Sequence, residues 1–209
     1  MTHLLYTEKF ASGHQSMIGS FPGQKYEVPP GLLASTGSFS SNDSAMAVAQ
    51  KKENRPFLVD HGELALALED IRDPGNLGTV IRIADWYGVK KIVLSEQSAD
   101  LYNPKVLHAS MGSFTRVSFF YTALDRYLSE ADVPVYGAFL DGDNIHRLNL
   151  EAKGIVLLGN ESKGISEGLE RLVTRKLSIP SFGSAESLNV AIAAAVICDN
   201  LRRSQPYQL

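Results

Sequence analysis

Residues 154–166 read GIVLLGNESKGIS. A short apolar run without polar alternation suits a strand covered on both faces, as in a parallel sheet. The polar turn that follows leads into a helix-like stretch. Outward from this segment the same rhythm recurs: LALALEDI (64–71), KIVLS (91–95), RVSFFY (116–121), VYGAFL (135–140) and KLSIP (176–180) read as strands. Helix-like segments open near Gly78, Asn103, Ala123, Ser166 and Leu188. This alternation predicts an α/β domain, a mostly parallel sheet with helices on both faces.

Residues 1–56 read differently and are expected to form a short N-terminal appendage and linker ahead of a main domain at 57–209. Gly, Ser and Pro crowd positions 11–44, so a self-sufficient core is not expected there. GLLAS and SAMAVAQ suggest a short helix and a strand, and QKKENRP a polar linker. No internal repeat or heptad pattern is visible.

Composition narrows the function classes. The 209 residues are 44% hydrophobic and 21% charged, ordinary for a globular protein. VAIAAAVIC (190–198), the longest apolar stretch, is far below the ~20 residues of a membrane span, and no basic-then-apolar leader is seen. A lone Cys198 excludes an intrachain disulfide and suits a reducing cytoplasm. The net charge of −3 argues against bulk electrostatic grip on nucleic acid, although local clusters such as Arg171, Arg175 and Lys176 remain. The five His residues are scattered and no Cys/His spacing resembles a metal site, so no metal is expected.

Ligands of open parallel sheets sit beyond the carboxyl ends of strands, and three loops stand out there. In DIRDPGNLGTVIRIADWYGV (70–89), Asn76 is a plausible N-cap and Leu77, Val80, Ile81 and Ala84 form one apolar stripe. Arg82 falls off that stripe, on the face of Trp86, so it is presented or simply stacked at the surface. In IVLLGNESKGIS, Gly159 and Gly164 have the spacing of a phosphate loop, but Ile165 stands where its lysine belongs. No dinucleotide fingerprint appears either. What remains is a glycine permitting close approach of a ligand and Glu161 at a strand's end, or an ordinary turn. In SIPSFGSAESLNVAIAAAVICDNLRR (178–203), Ser187 is placed to cap a helix opening at Leu188. That helix is apolar all round, so every face should be buried, in the domain or against a second subunit. Asn189 at its mouth is either satisfied by neighbouring loops or reserved for a ligand.

Together, RDPGNLGTVIRIADWYG, IVLLGNESKGIS and LSIPSFGSAESLNVAIAAAV resemble, in order and separation, the three motifs of the SpoU (TrmH-like) group of the SPOUT methyltransferases, over about residues 64–203. The resemblance implies an S-adenosyl-L-methionine-dependent RNA ribose 2'-O-methyltransferase, with a deep C-terminal trefoil knot, working as a homodimer. By position it carries functional roles to Asn76, Arg82, Glu161, Ser187 and Asn189. It makes Gly159, Ile179 and Leu188 cofactor-binding, with Leu140 in the wall Phe139–Gly142. The helix mouth is then polar because the active site is there. Ala191 departs from relatives that often carry Ser at that place. YEVPPGLLASTGSFSSNDSAMAVAQKK resembles the closing part of a ribosomal-protein-like RNA-binding domain, whose first half is unrecognisable. The short stretch after Arg203 lacks the helical extension of tRNA-specific relatives, favouring ribosomal RNA over tRNA as substrate. A non-catalytic RNA-binding paralogue of the same fold is the alternative.

The implied reaction moves a methyl group to a ribose hydroxyl by in-line displacement, so the oxygen must be positioned and its proton must leave. A guanidinium is a poor base, so Arg82 is expected to position phosphate and stabilise developing charge, with the proton lost to phosphate or water. Asn76 and Asn189 are expected to orient the hydroxyl or the loops, and Glu161 to order the cofactor pocket or hold Arg82.

Overall fold

The computed structural model describes residues 1–37 and 41–203. The chain divides into two compact units, Met1–Glu53 and Asn54–Leu209.

The first unit runs β1 (His3–Tyr6), α1 (Glu8–Ser20), β2 (Gln24–Glu27), α2 (Pro30–Thr36) and β3 (Ala45–Val48). Its three strands lie in the order β2-β1-β3, β1 parallel to β2 and antiparallel to β3. The sequence suggested one helix and one strand here, and the structure holds more. Thr7 caps α1, its Oγ1 accepting from Phe10 N–H, and the helix kinks at His14, whose ring stacks on Phe10. The pattern is hard to read because no residue of α1 is buried; without an apolar stripe a helix leaves little periodic signal. Within this unit Leu4 and Leu33 are the buried apolar side chains among the described residues.

The second unit begins its regular structure with β4 (Leu64–Leu68), α3 (Pro74–Trp86), β5 (Lys91–Leu94), α4 (Pro104–Ala109), β6 (Ser118–Tyr121) and α5 (Leu124–Ser129). It continues through β7 (Val135–Asn144), β8 (Gly154–Leu158), α6 (Glu167–Glu170), β9 (Arg175–Ser178) and α7 (Val190–Arg202). The six strands form one sheet, β6-β5-β4-β8-β7-β9, and every pairing in it is parallel. Each expected strand in this unit is present.

β4 shows why the runs look as they do. Leu64, Leu66 and Leu68 face a core shared with Leu77 and Ile81 of α3 and Ala194 and Ile197 of α7. Ala65 and Ala67 face a second core with Leu124 and Leu128 of α5 and Leu169 of α6. With both faces covered, polar alternation would bury unpaired polar groups, so the strand is apolar throughout. On the first face, Gly78 lets α3 close on α4: a Cβ there would lie 2.6 Å from Ala109 Cβ and 2.6 Å from Val106 O.

α7 buries Val190, Ala191, Ala194, Ile197, Cys198 and Leu201 along one face. Cys198 is fully buried, and burial pushes its thiol up to about 12. The expectation that every face is buried fails within the single chain, since Ile192 is 53% exposed. The residues of an apolar helix can stay uncovered only where something outside the chain covers them or where exposure is tolerated.

β7 is longer than the sequence suggested. Ala138 and Asp143 both pair with Leu177 of β9, so Phe139–Gly142 bulge out and the strand resumes to Asn144. Gly142 allows the return: a Cβ there would sit 2.6 Å from the Leu177 carbonyl carbon. Ser178 Oγ donates to the Leu140 carbonyl at 3.0 Å, tying the bulge to the end of β9.

Candidate functional site

The loops after β4, β8 and β9 meet at the carboxyl end of the sheet. In the first, Asp73 rather than Asn76 caps α3, its Oδ1 accepting from Asn76 N–H at 2.8 Å, with Pro74 opening the helix. Asp followed by Pro is itself a helix-start signal, so the sequence held the correct reading. The helix accordingly opens four residues before Gly78. The consequence is chemical, because the Asn76 side chain is released from capping.

That side chain joins the other two loops. Asn76 Nδ2 donates to Glu161 Oε1 at 2.8 Å, and Asn76 Oδ1 accepts from Asn189 Nδ2 at 2.9 Å. Asn189, not Ser187, is the N-cap of α7, which starts at Val190 rather than Leu188; its Oδ1 accepts from Ala191 N–H at 2.9 Å. One chain of hydrogen bonds therefore runs from the first turn of α7 through Asn76 to Glu161. Its direction is fixed, since a carboxylate only accepts and the Asn76 amide must turn its nitrogen towards Glu161.

Of the five polar residues singled out, three are thus hydrogen-bonded to one another. Arg82 is exposed on α3, and among the described residues it has no hydrogen-bond or ion-pair partner. It is not held by Glu161 and does not stack on Trp86, which is itself 84% exposed. Ser187 lies in the stretch 181–189, exposed throughout, and its hydroxyl has no partner among the described residues. Both are available to something outside the chain.

The loop after β8 is tightly folded. Asn160 and Gly164 exchange backbone hydrogen bonds of 3.1 and 2.9 Å, and a Cβ on Gly159 would fall 2.2 Å from the Gly164 carbonyl carbon. Asn160 Oδ1 accepts from the N–H groups of Ser162 and Lys163, while its Nδ2 donates to the Asp70 carbonyl at 2.8 Å. Asp73 and Asn160 are the members of the site that sequence reasoning missed. An Asn opening a turn that ends in Gly was the available signal for Asn160.

Gly159 and Ile179 follow the last residues of β8 and β9, and Leu140 stands in the bulge of β7, the strand between those two in the sheet. Leu140 and Leu188 are exposed and Ile179 is half-buried. Uncovered apolar side chains at these positions fit the planar adenine and the aliphatic arms of a sulfonium cofactor such as S-adenosylmethionine. An adjoining cleft of about 510 Å³ beyond β4, β5 and β6 is lined by Glu69, Asp70, Glu96 and Asp125. Its charge is wrong for a nucleic-acid backbone. Among the described residues no cluster of three His, Cys, Asp or Glu could hold a metal ion, and no helix is long and apolar enough to cross a membrane.

A parallel α/β sheet with a polar relay across its carboxyl-end loops defines a ligand-binding class of wide membership. The family model of the SpoU rRNA Methylase family matches residues 63–199, and the chain belongs to that family. Over 141 residues the chain is 36% identical to the 23S rRNA (guanosine(2553)-2'-O)-methyltransferase RlmP of Bacillus subtilis, covering 66% of this chain and 57% of that one. A TrmH-family protein from Porphyromonas gingivalis superposes with a TM-score of 0.83 at 33% identity, over 97% of this chain and 82% of the other. An AdoMet-bound rRNA methyltransferase from Sinorhizobium meliloti gives 0.83 at 27% identity, over 99% and 81%. The chain spans 57% of the length of the Bacillus relative and 61% of a 23S rRNA (uridine(2479)-2'-O)-methyltransferase from Streptomyces viridochromogenes.

Proposed function

We propose that this protein transfers a methyl group from S-adenosylmethionine to a ribose 2'-hydroxyl of RNA, ribosomal RNA in preference to tRNA. The observation that carries the reading is the Glu161–Asn76–Asn189 chain, which draws the three family motifs into one place, with Arg82 exposed and unpartnered further along α3. Membership of the SpoU rRNA Methylase family supports it.

Bound S-adenosylmethionine would supply an electrophilic methyl carbon. Gly159, Ile179, Leu188 and Leu140 would hold it, the glycine by its backbone and the others by apolar contact. Arg82 binds the phosphate next to the target ribose and stabilises negative charge as it grows on the 2'-oxygen. The hydroxyl proton passes to a phosphate oxygen or water. Asn76 and Asn189 keep the loops in register for in-line attack, Glu161 fixes Asn76, and the Ser187 hydroxyl contacts the RNA. The C-terminal chain forms the deep trefoil knot, the uncovered face of α7 forms a homodimer, and residues 1–56, ahead of the catalytic domain at 57–209, are an RNA-binding appendage. The protein acts in the cytoplasm, without a metal.

The test is methyl transfer from labelled S-adenosylmethionine to ribosomal RNA, scored as alkali-resistant dinucleotides because a methylated ribose cannot cleave its own phosphodiester. Arg82→Lys keeps the charge but loses the planar fork, and it is expected to lose nearly all turnover while still binding S-adenosylhomocysteine. Near-normal turnover by that variant would refute the role given to Arg82. Cofactor binding without transfer to any RNA would favour a non-catalytic RNA-binding protein.

A further inference from the structure

The loops after β4 and β8 trade amide donors. Asn76 of the first donates to Glu161 of the second, and Asn160 of the second donates to the Asp70 carbonyl of the first. The two strands are neighbours, with Leu68 level with Leu158, so the two bonds bridge one gap from opposite sides. Asp70 is held in turn: its φ is 55°, a left-handed conformation uncommon for a residue other than Gly, and its N–H donates to Ser95 Oγ at 2.8 Å. With Asp70 fixed by Ser95, just beyond β5, and Asn160 fixed by its own turn, the carbonyl-to-amide bond sets the distance between the loops.

We propose that Asn160 is a positioning residue for the methyl-transfer site. By clasping the Asp70 carbonyl it places Glu161, its immediate neighbour in the chain, within reach of Asn76. This rests on the enzymatic reading above. The role needs both ends of the amide: the oxygen collects the N–H groups of Ser162 and Lys163, and the nitrogen reaches across the gap.

Asn160→Asp separates the two ends. A carboxylate keeps the acceptor but has no donor, and it sets a negative oxygen against the Asp70 carbonyl oxygen. The charged groups around it are Glu69, Asp70, Arg72 and Asp73 on the β4 side, Glu161 and Lys163 on its own loop, and Glu96 and Asp125 in the adjoining cleft. The surrounding acids raise the titration of the introduced carboxyl, whereas the Ser162 and Lys163 N–H groups that its oxygen accepts from lower it, so the pH profile of the variant reads where it titrates. Once protonated it is close to isosteric with Asn and regains a donor. At neutral pH Asn160→Asp is expected to lower kcat at least tenfold, with S-adenosylhomocysteine affinity changed less than threefold. The variant-to-native activity ratio should climb as the pH is lowered. Asn160→Ala should be as slow at neutral pH and show no such climb. A purely structural Asn would lower cofactor affinity together with kcat, so the fall in kcat at nearly constant S-adenosylhomocysteine affinity is what marks positioning.

Amide exchange across 159–165, followed over the same pH range in native and variant protein, reads the clasp without catalysis. Native-like turnover of Asn160→Asp or of Asn160→Ala at neutral pH overturns the proposal while leaving the enzyme reading intact. A native protein that neither binds S-adenosylhomocysteine nor methylates RNA overturns that reading, and the catalytic role of Asn160 with it. In that case pH-dependent loss of exchange protection in Asn160→Asp still reports the clasp as a structural device.

Discussion

Asn189 holds two jobs in one side chain, and substitution can part them. Its oxygen caps α7 while its nitrogen serves Asn76. Asn189→Asp retains a capping acceptor and loses the donor, so the melting temperature should hold within a few degrees while methyl transfer falls by ~10²–10³-fold, the usual cost of removing one preorganised donor. Asn189→Ala loses the cap as well, at a further ~1 kcal/mol, or ~2–4 °C in a chain of this size. Calorimetry beside the transfer assay checks both. At this scale the sequence named Asn76, Glu161 and Asn189 as polar side chains that needed a purpose. It misjudged the caps, because Asp73 and Asn76 both suit that position and local pattern cannot say which one is wanted elsewhere. Only the tertiary meeting of the loops shows that Asn76 is needed by Glu161.

The elements of the main unit were legible because both faces of the sheet are covered, which forces unbroken apolar runs such as 154–158. The bulge at Phe139–Gly142 was not, since it answers to Leu177 on a strand far along the chain. α1 was missed for the opposite reason: it buries nothing, so it has no stripe to read. Between elements, Asp85 near the end of α3 accepts from Arg116 Nε and Nη2 at 2.9 and 2.6 Å, and the guanidinium holds its carboxyl below the ordinary carboxylate range. A carboxyl lowered in the folded state adds stability above its unfolded pKa and loses it as the pH falls through the folded one. Asp85→Asn should therefore melt about 1–4 °C lower at pH 7, as expected for a partly exposed pair. The difference should vanish once the pH lies below the lowered pKa. Thermal melts of the two proteins from pH 7 to 2 settle the sign.

At the scale of the whole molecule, α7 links the site to the surface. Its first turn is capped by Asn189, and Ile192 in that same turn stands 53% exposed. If that face pairs with a second copy, Ile192→Glu should convert dimer to monomer in sedimentation, since a desolvated unpaired charge is costly. The same helix carries the lone Cys198 on its inner side, fully buried and with its thiol raised to about 12. A thiol so placed reacts through its thiolate and only when the helix lifts away. The rate at which a thiol reagent labels the native protein is thus a clock for the undocking of α7. Because Asn189 joins that helix to the site, S-adenosylhomocysteine should slow the clock, and Asn189→Ala should quicken it with or without the ligand.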